Sequence, residues 1–500
     1  MGFSLSRTRV VYAALGCSLL LWTFVMVHLA FPLHLGPHWR QAETQSIALN
    51  FLLEPNVFFP RINWGGSGPG YVESEFQLYA GIVALGMAIF GRSESVGQWV
   101  SLLAMAGAAA ILFKAVRRYY GDFAGLMSVL VMLGSRNAVH LGSAVMPDAL
   151  CALFYAASLE RFLAFIEGER RGALLWSAMF LALAGLVKPI ALGGGLAQAL
   201  IIFAYRREWL KSKQVWFAWG AVLLVIVAYL FHAAELHHHF GNTFGVVSGG
   251  DSKFPDLAHL RRLHWLAQAF YVSLEFGVGY LGVVSLLVLL LVRRLRWIDV
   301  AIAFGGAAAI LVSLRYSCDR WLGCHYHVFL VIAEAWLVAA VVRWGSELPW
   351  ARAKAGPVLA AAFVLVLIAL FSRNLVLHRG ELAYAERDPV IALGAALRKQ
   401  VSPGQLVVVQ SSEVDFDVEW RRPDNYQDPR LFYLSNTRGW VLPANVSSSE
   451  TLELARTRGA RFYATAISPP PVVSQWLAAH AEVVWQDGKS QIWRLSGSDS

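Results

Sequence analysis

Charged residues are scarce in this chain: Asp, Glu, Lys and Arg together make up 15% of its 500 residues. An ordinary soluble protein carries about 25% charged residues, so the composition excludes a disordered chain and a conventional soluble enzyme. Cysteine is rare too, and four in the whole chain exclude a small disulfide-stapled domain. Apolar residues dominate instead, at 57% of the chain, with a mean hydropathy of +0.51. These values predict a membrane protein.

Eleven apolar stretches are long enough, some only just, to cross a bilayer as helices. About 20 residues are needed, because a helix rises about 1.5 Å per residue and the hydrocarbon layer is about 30 Å thick. A twelfth stretch, 76–91, has only 16 residues. The eleven lie at about 10–31, 96–116, 122–143, 149–166, 173–189, 190–205, 215–232, 276–292, 298–315, 324–343 and 357–376.

The distribution of lysine and arginine predicts how these helices are oriented. If 76–91 does not cross, the loops on one side of the membrane collect 18 positive charges, and the longer loops on the other side carry 11. The positive-inside rule then places the N-terminus in the cytoplasm and the C-terminus outside. The stretch 76–91 becomes a helix on the outer membrane surface. Functional residues are expected on the long outward loops, which are 32–95, 136–148, 233–275 and 316–323.

The C-terminal segment has a different character. Of the 42 basic and 33 acidic residues, 13 and 14 lie in 379–500, so this segment lacks the basic excess of the rest. Alternating helices and strands predict a small α/β domain, and we divide the chain into a membrane domain, 1–376, and an extracytoplasmic domain, 377–500. The pattern predicts helices at 389–400, 448–458 and 472–480 and strands at 406–410, 461–466, 482–486 and 491–495.

Two acidic residues, Glu43 and Asp148, can have either an ordinary structural role or a catalytic role. Glu43 lies near the start of a short amphipathic helix in HWRQAETQSIALNF (38–51), where an acid also favours the helix N-terminus. Asp148 follows Pro147 at the start of an apolar span, where it can cap the helix. Acids at a membrane edge are costly and often functional. A carboxylate at the outer face is also what base-catalysed transfer to a hydroxyl group needs.

Other residues of the outward loops are candidates for binding a phosphate or a substrate. Lys188 lies between two spans, either as a snorkelling lysine near a helix end or as a phosphate anchor. We expect Glu73 to be solvated. The histidine tract 237–239 lacks the spacing of a metal-ligand set, so neither a metal site nor a cofactor is predicted. The remaining candidates are Arg40, Arg61, Glu75, Arg261, Arg262, His325 and Tyr326.

Two cysteines share one short outward loop. Cys318 and Cys324 are spaced C-x5-C, and an oxidising outer compartment permits a disulfide between them. We treat this bridge as a hypothesis.

The order of several motifs resembles a known family. HWRQAETQSIALNF resembles the WRQADT-x-x-IA-RNF segment of bacterial GT-C membrane glycosyltransferases, which are relatives of the family 39 protein O-mannosyltransferases and of the aminoarabinose transferases acting on lipid A. PRINWGG (60–66) and GYVESEFQLY (70–79) are similar to the continuation of that segment. SAVMPDAL (143–150), GLVKP (185–189) and CHYHVFLVIAEAW (324–336) follow in the expected order. The resemblance covers about 10–376, and the C-terminal α/β segment also resembles domains attached to several of these enzymes.

The resemblance implies a GT-C bundle with outer juxtamembrane helices and transfer of a sugar, with inversion, from a polyprenyl-phosphate donor at the outer face of the inner membrane. The acceptor is an envelope lipid, glycan or protein. Glu43 stands where the family has Asp, Asp148 matches a second family acid, and Lys188 matches a frequent lysine. A carboxylate can take the acceptor proton, and cations can hold the phosphate leaving group. We therefore expect Glu43, Asp148 and several cations to share one pocket.

Two other functions remain open. A non-catalytic protein that binds polyprenyl phosphate or glycan is consistent with the replacement of Asp by Glu43. A transporter or flippase of lipid-linked sugars usually shows two repeated halves with interrupted helices and midplane charges. No repeat is visible in this sequence, and its charges crowd one face, so transport is the less favoured alternative.

Overall fold

The computed structural model describes most of the chain. The residues described are 7–31, 39–168, 172–247, 261–317, 324–349, 355–412, 416–417, 422–423, 427–443, 445 and 447–496. Cys318 lies outside them, so the hypothetical disulfide with Cys324 is not tested.

By their packing, the residues fall into two units. The first consists of Met1–Phe31, Gly97–Tyr229 and Ser252–Gly380, and the second of Pro32–Val96, Leu230–Asp251 and Glu381–Ser500. The predicted division at 376/377 concerns which residues lie in the membrane, and it stays a prediction.

Helices make up most of the described chain. Some α-helices are continuous with a short π or 3-10 segment. The helix Arg7–Val25 is followed by the π segment Met26–Ala30, and the helices Gly193–Tyr205 and Val328–Glu347 are preceded by the 3-10 segments Pro189–Leu192 and Cys324–His327. The others up to residue 385 are Trp39–Leu53, Leu78–Phe90, Glu94–Tyr120, Asp122–Gly134, Arg136–Ser143, Asp148–Ile166, Gly172–Val187, Arg207–Lys211, Lys213–Phe240, Leu263–Phe276, Gly279–Leu291, Trp297–Val312, Leu314–Ser317 and Ala355–Ala385.

The multi-pass character is confirmed, whereas the count of eleven spans is not. Within the described ranges, six helices are long and apolar enough to cross a membrane, and two bent pairs raise the number to eight. The predicted spans 173–189, 190–205 and 298–315 fall on shorter apolar helices. The stretch 76–91 also forms a short apolar helix, Leu78–Phe90, and its place on the outer surface stays a prediction.

One predicted span is broken in its middle. The stretch 122–143 forms two helices, Asp122–Gly134 and Arg136–Ser143, with a bend of 64° between them. Ser135 caps the second helix with its side chain. The Nδ2 of Asn374 donates a 2.8 Å hydrogen bond to the last carbonyl of the first helix. A break is tolerated in an apolar bundle when side chains satisfy the freed backbone groups in this way.

A second break changes the boundary of another predicted span. The stretch predicted at 276–292 is preceded by the helix Leu263–Phe276, which bends by 97° into Gly279–Leu291. Gly279 has a φ of +64°, which only glycine adopts readily. The apolar pattern therefore continues through residues 263–291, and the chain turns within it at Gly279.

The C-terminal segment forms the predicted α/β fold. Five strands make one sheet in the order Arg438–Leu442, Leu406–Gln410, Ala460–Thr465, Ser490–Leu495 and Ala481–Asp487. The first three are parallel to one another and the last two pair antiparallel. The helices Pro389–Gln400, Ser449–Thr457 and Pro471–His480 agree with the prediction, whereas Arg438–Leu442 and the helix Arg430–Ser435 were not predicted.

Each face of this sheet has its own core. Leu393, Leu397 and Phe432 pack on one face, and Leu452 and Leu477 pack on the other. Four two-residue strands form two further pairs outside this sheet: Val72–Glu73 pairs parallel with Asn242–Thr243, and Phe416–Asp417 pairs antiparallel with Arg422–Pro423.

Candidate active site

Glu43 lies inside the second unit, on the helix Trp39–Leu53. Every residue from Gln41 to Ala48 is buried, and Glu43 is only 1% exposed. Ala, Glu and Gln favour a helix here, and Ile47 and Phe51 supply its apolar face. The carboxyl group is therefore held away from water, which an acid serving only the helix N-terminus would not require.

One oxygen of this carboxyl is held by an indole. Trp64 Nε1 donates a 2.7 Å hydrogen bond to Glu43 Oε2, while no described residue hydrogen-bonds to Oε1. Burial raises the pKa of Glu43 to about 7, although the Trp64 hydrogen bond and the Arg40 charge lower it and the Asp428 charge raises it. A carboxyl with a pKa near the working pH is well suited to general base catalysis.

The loop that carries Trp64 is tied to the α/β sheet. The Gly66 N–H donates to Gly439 O at 2.7 Å, and the Gly439 N–H donates to Asn63 O at 2.9 Å. Gly66 has a φ of +72°, and a Cβ there would lie 2.5 Å from the indole nitrogen of Trp440. Trp64 itself packs against the core cluster on one face of that sheet. The position of the Glu43 partner is thus set by the C-terminal segment.

A cation lies beside Glu43. Arg40 Nη2 pairs with Glu75 Oε2 at 2.9 Å, and both side chains are mostly buried. The guanidinium of Arg40 also lies over the ring of Phe244, with 5.0 Å to its centroid. Arg40 and Glu75, which are 35 residues apart in the sequence, are therefore brought together.

Two other loop residues have structural partners. We expected Glu73 to be solvated, and this is wrong: it is fully buried and accepts hydrogen bonds from the Thr243 hydroxyl and from the Val247 N–H at 2.7 Å. Arg61 pairs with Glu54 at 2.9 Å and donates to Pro69 O at 2.8 Å. These bonds fix the loop and give Arg61 a structural role.

The second acid lies in the first unit and has a cationic partner. Asp148 is the first residue of the helix Asp148–Ile166 and is fully buried. Lys188 Nζ lies 2.7 Å from Asp148 Oδ1, and its side chain is 6% exposed. The ammonium group also lies 4.9 Å from the ring centroid of Tyr326. The structure therefore brings three candidates together: Asp148, Lys188 and Tyr326. The ordinary roles considered from the sequence, a helix cap for Asp148 and a snorkelling lysine for Lys188, do not describe this buried pair.

The remaining candidates are placed as follows. The rings of His325 and Tyr326 are 4.2 Å apart at their centroids. Arg261 is exposed and Arg262 is half-buried, immediately before the helix Leu263–Phe276. His239 of the histidine tract lies 3.7 Å from Glu235 on the same helix.

Two residues near Glu43 were not predicted from the sequence. Trp64 was not singled out, although the motif PRINWGG contains it, and no local sequence pattern identifies Asp428 as a neighbour of Glu43.

The chain has the fold of solved GT-C glycosyltransferases, so the fold that its motifs indicate is confirmed. Residues 78–232 match the family model described as dolichyl-phosphate-mannose-protein mannosyltransferase. No curated protein gives a significant match.

Solved structures of two proteins illustrate this fold. ArnT from Cupriavidus metallidurans bound to undecaprenyl phosphate is 14% identical, with a TM-score of 0.63 and 98% of each chain covered; its apo state gives a TM-score of 0.64. The archaeal oligosaccharyltransferase AglB from Archaeoglobus fulgidus, in complex with an inhibitory peptide and a dolichol-phosphate, is 10% identical. Its TM-score is 0.52, with 99% of this chain and 75% of that chain covered.

Proposed function

We propose that this protein transfers a sugar from a polyprenyl-phosphate donor to an envelope lipid, glycan or protein. The observation that carries the proposal is the state of Glu43, a buried carboxyl with one oxygen held by Trp64 and a pKa of about 7. The reaction takes place at the outer face of the cytoplasmic membrane, with the N-terminus inside and the α/β domain outside. The fold and the lipid phosphates bound by ArnT and AglB support this proposal.

Glu43 acts as the base in this scheme. Its Oε1 takes the proton of the acceptor hydroxyl while the hydroxyl oxygen attacks the anomeric carbon. The bond from that carbon to the phosphate oxygen breaks, and polyprenyl phosphate leaves with the electron pair. Because a phosphate is already a good leaving group, no separate acid is needed. Attack from the face opposite the phosphate inverts the anomeric configuration.

The cations hold the phosphate as its charge grows. Arg40 uses one N–H on Glu75, and its guanidinium has five donors in all. Lys188 is held by Asp148 and has three donors. We assign Arg40 and Lys188 to the phosphate, with Arg261, Arg262, His325 and Tyr326 as further candidates. Because Lys188 already engages Asp148, we assign Asp148 the positioning of that lysine, with the role of base as its alternative.

The test uses the purified full chain in liposomes, with a panel of undecaprenyl-phosphate hexoses and pentoses labelled in the sugar. Envelope lipids and glycans serve as acceptors, and products are resolved by mass spectrometry. Transfer or donor hydrolysis that disappears in Glu43→Gln is the expected result. Movement of the donor across the bilayer without chemistry would favour a transporter and contradict the proposal.

One observation favours a second candidate, a non-catalytic lipid-phosphate binder. Glu43 stands where the resembled family has Asp, which places the carboxyl one methylene further along. Tight donor binding by the wild type and by Glu43→Asp, with turnover in neither protein, would support that candidate. Turnover by the wild type excludes it.

A further inference from the structure

Three side chains that can bind a metal ion meet where the last long helix packs against the broken span. His140 lies on the helix Arg136–Ser143, and His378 lies on the helix Ala355–Ala385. Glu381 lies one turn beyond His378 on the same unbroken helix, so both side chains project from one face of it. One possible ligand atom from each of the three lies within 4.8 Å of those of the other two. His378 is 5% exposed, and the other two are half-buried.

Two hydrogen bonds within the first unit fix the short helix against the long one. Asn374 Nδ2 donates to Gly134 O at 2.8 Å, just before the short helix begins. At the last residue of the short helix, Ser143 Oγ lies 2.8 Å from His378 Nε2. His140 lies between these two anchors, and its ring is perpendicular to that of His378, with 5.7 Å between the centroids. The approach of the two imidazoles is therefore set by the packing of the helices.

The hydrogen bonds of His378 determine which of its ring nitrogens can bind a metal. Its Nε2 lies 2.8 Å from Ser143 Oγ and 3.3 Å from Ala30 O. A carbonyl oxygen only accepts, and the single hydroxyl hydrogen of Ser143 is directed at the carbonyls of Val139 and His140. Both neighbours therefore accept from Nε2, which carries the ring proton. In the neutral ring Nδ1 then keeps its lone pair, which is the state of a histidine that ligates a metal.

The composition of the cluster suits zinc. Two histidines and one glutamate, with water in the fourth position, form a known tetrahedral ligand set for Zn²⁺. At bond lengths of about 2.0–2.1 Å, the ligand atoms of such a site are about 3.3 Å apart. The three side chains therefore need to approach by about 1.5 Å at most, which rotation of the long Glu381 side chain can supply. Their other hydrogen bonds do not prevent this, since a metal displaces protons from its ligands as it binds.

We propose that His140, His378 and Glu381 bind one Zn²⁺ ion, with a water molecule as the fourth ligand. His378 uses Nδ1, and Ser143 is a positioning residue that orients the ring through Nε2. The ion joins the short helix after the break to the last long helix, so its role is structural. No sequence pattern predicts this site, because the two histidines lie on helices far apart in the chain. None of these residues is assigned to the proposed transfer of sugar.

The test measures zinc binding to the full chain in detergent, so it does not depend on any transferase activity. The parent protein carries His237→Gln, His238→Gln and His239→Gln, because a histidine tract can itself bind metal. After treatment with a chelator, each protein is dialysed against increasing concentrations of Zn²⁺, and its zinc content is measured by elemental mass spectrometry. We expect one zinc ion per parent chain.

The variants of the cluster should weaken this binding in a graded way. Removal of one ligand in His140→Gln or in Glu381→Gln should lower the zinc affinity about a hundredfold or more, whereas Ser143→Ala keeps all three ligands and should lower it about tenfold. His28→Gln is the matched control, because His28 is an exposed histidine near the end of the first helix and bonds to Phe24 O at 2.8 Å. Its zinc affinity should equal that of the parent.

Thermal unfolding separates loss of the ligand from loss of the fold. Zinc should raise the Tm of the parent and of His28→Gln but not that of Glu381→Gln. In the presence of a chelator, all of these proteins should unfold at similar temperatures. Absence of stoichiometric zinc in the parent would overturn the proposal, and so would an unchanged zinc affinity in either ligand variant. Zinc bound by the wild type but not by the parent would assign the metal to the tract 237–239 and overturn the proposal too.

Discussion

Trp64 and Glu43 are joined by a 2.7 Å hydrogen bond from the indole N–H to a buried carboxylate oxygen. This bond opposes the effect of burial, because it lowers the pKa that desolvation raises. Since the loop of Trp64 is bonded to the strand Arg438–Leu442, the α/β segment influences the proposed base.

The first prediction concerns Trp64→Phe. The variant keeps an aromatic ring but loses the N–H, so the pKa of Glu43 rises. The acid limb of the pH–rate profile should move to higher pH, and transfer at pH 7 should fall about three- to tenfold. Trp216→Phe is the control, because it also loses an indole bond, to Leu210 O, at an exposed position. A profile that stays in place for Trp64→Phe would contradict the role of this bond.

The second prediction concerns stability and pH. The pKa of Glu43 is raised from 4.5 to about 7 on folding, so the folded chain binds this proton more tightly than the unfolded chain. Stability is therefore fully present below pH 4.5 and is lost as the pH rises towards 7. Glu43→Gln removes this dependence, and its stability relative to wild type should grow by up to about 3 kcal/mol between pH 4.5 and 8.

Thermal or denaturant unfolding in detergent at several pH values measures this difference. The glutamine carbonyl can still accept the Trp64 hydrogen bond, so the fold should be kept while transfer is lost. A stability difference that does not vary with pH would show that Glu43 titrates at an ordinary pKa.

The third prediction concerns the Asp148–Lys188 pair. Lys188→Met leaves a buried carboxylate without its cation and should cost about 3–5 kcal/mol of stability. The double variant Asp148→Asn with Lys188→Met should recover most of that loss but no activity. Lys114→Met is the control, since Lys114 is exposed and pairs with Glu160 at 3.0 Å, where about 1 kcal/mol or less is expected. Recovery of transfer in the double variant would remove Lys188 from the phosphate site.

The fourth prediction tests the common pocket of the two acids. Glu43 belongs to the second unit and Asp148 to the first, and their convergence stays a prediction. If both serve one transfer step, the losses in kcat/KM from Glu43→Gln and Asp148→Asn should be strongly non-additive. Additivity within about 0.5 kcal/mol would indicate independent sites.

Much of the fold is predictable because it depends on local pattern. Apolar runs of helical length located the helices, and alternation with turn residues located four of the five strands of the sheet. The strand Arg438–Leu442 was missed because RGWVL begins with a charge and a glycine, which favour no strand by themselves. The breaks at Ser135 and Gly279 were missed because each depends on partners from other helices.

The sequence by itself determined that the chain is a multi-pass membrane protein and indicated the GT-C fold, with Glu43, Asp148, Arg40 and Lys188 among the residues worth testing. Composition and motif order carry that information, since both are properties of the chain alone. Only the tertiary structure decided that Glu43 is buried against Trp64, that Lys188 holds Asp148, and that Arg136 and Arg373 share Glu275. A pKa or an ion pair depends on atoms that folding brings together from distant positions, and no local pattern records which positions those are.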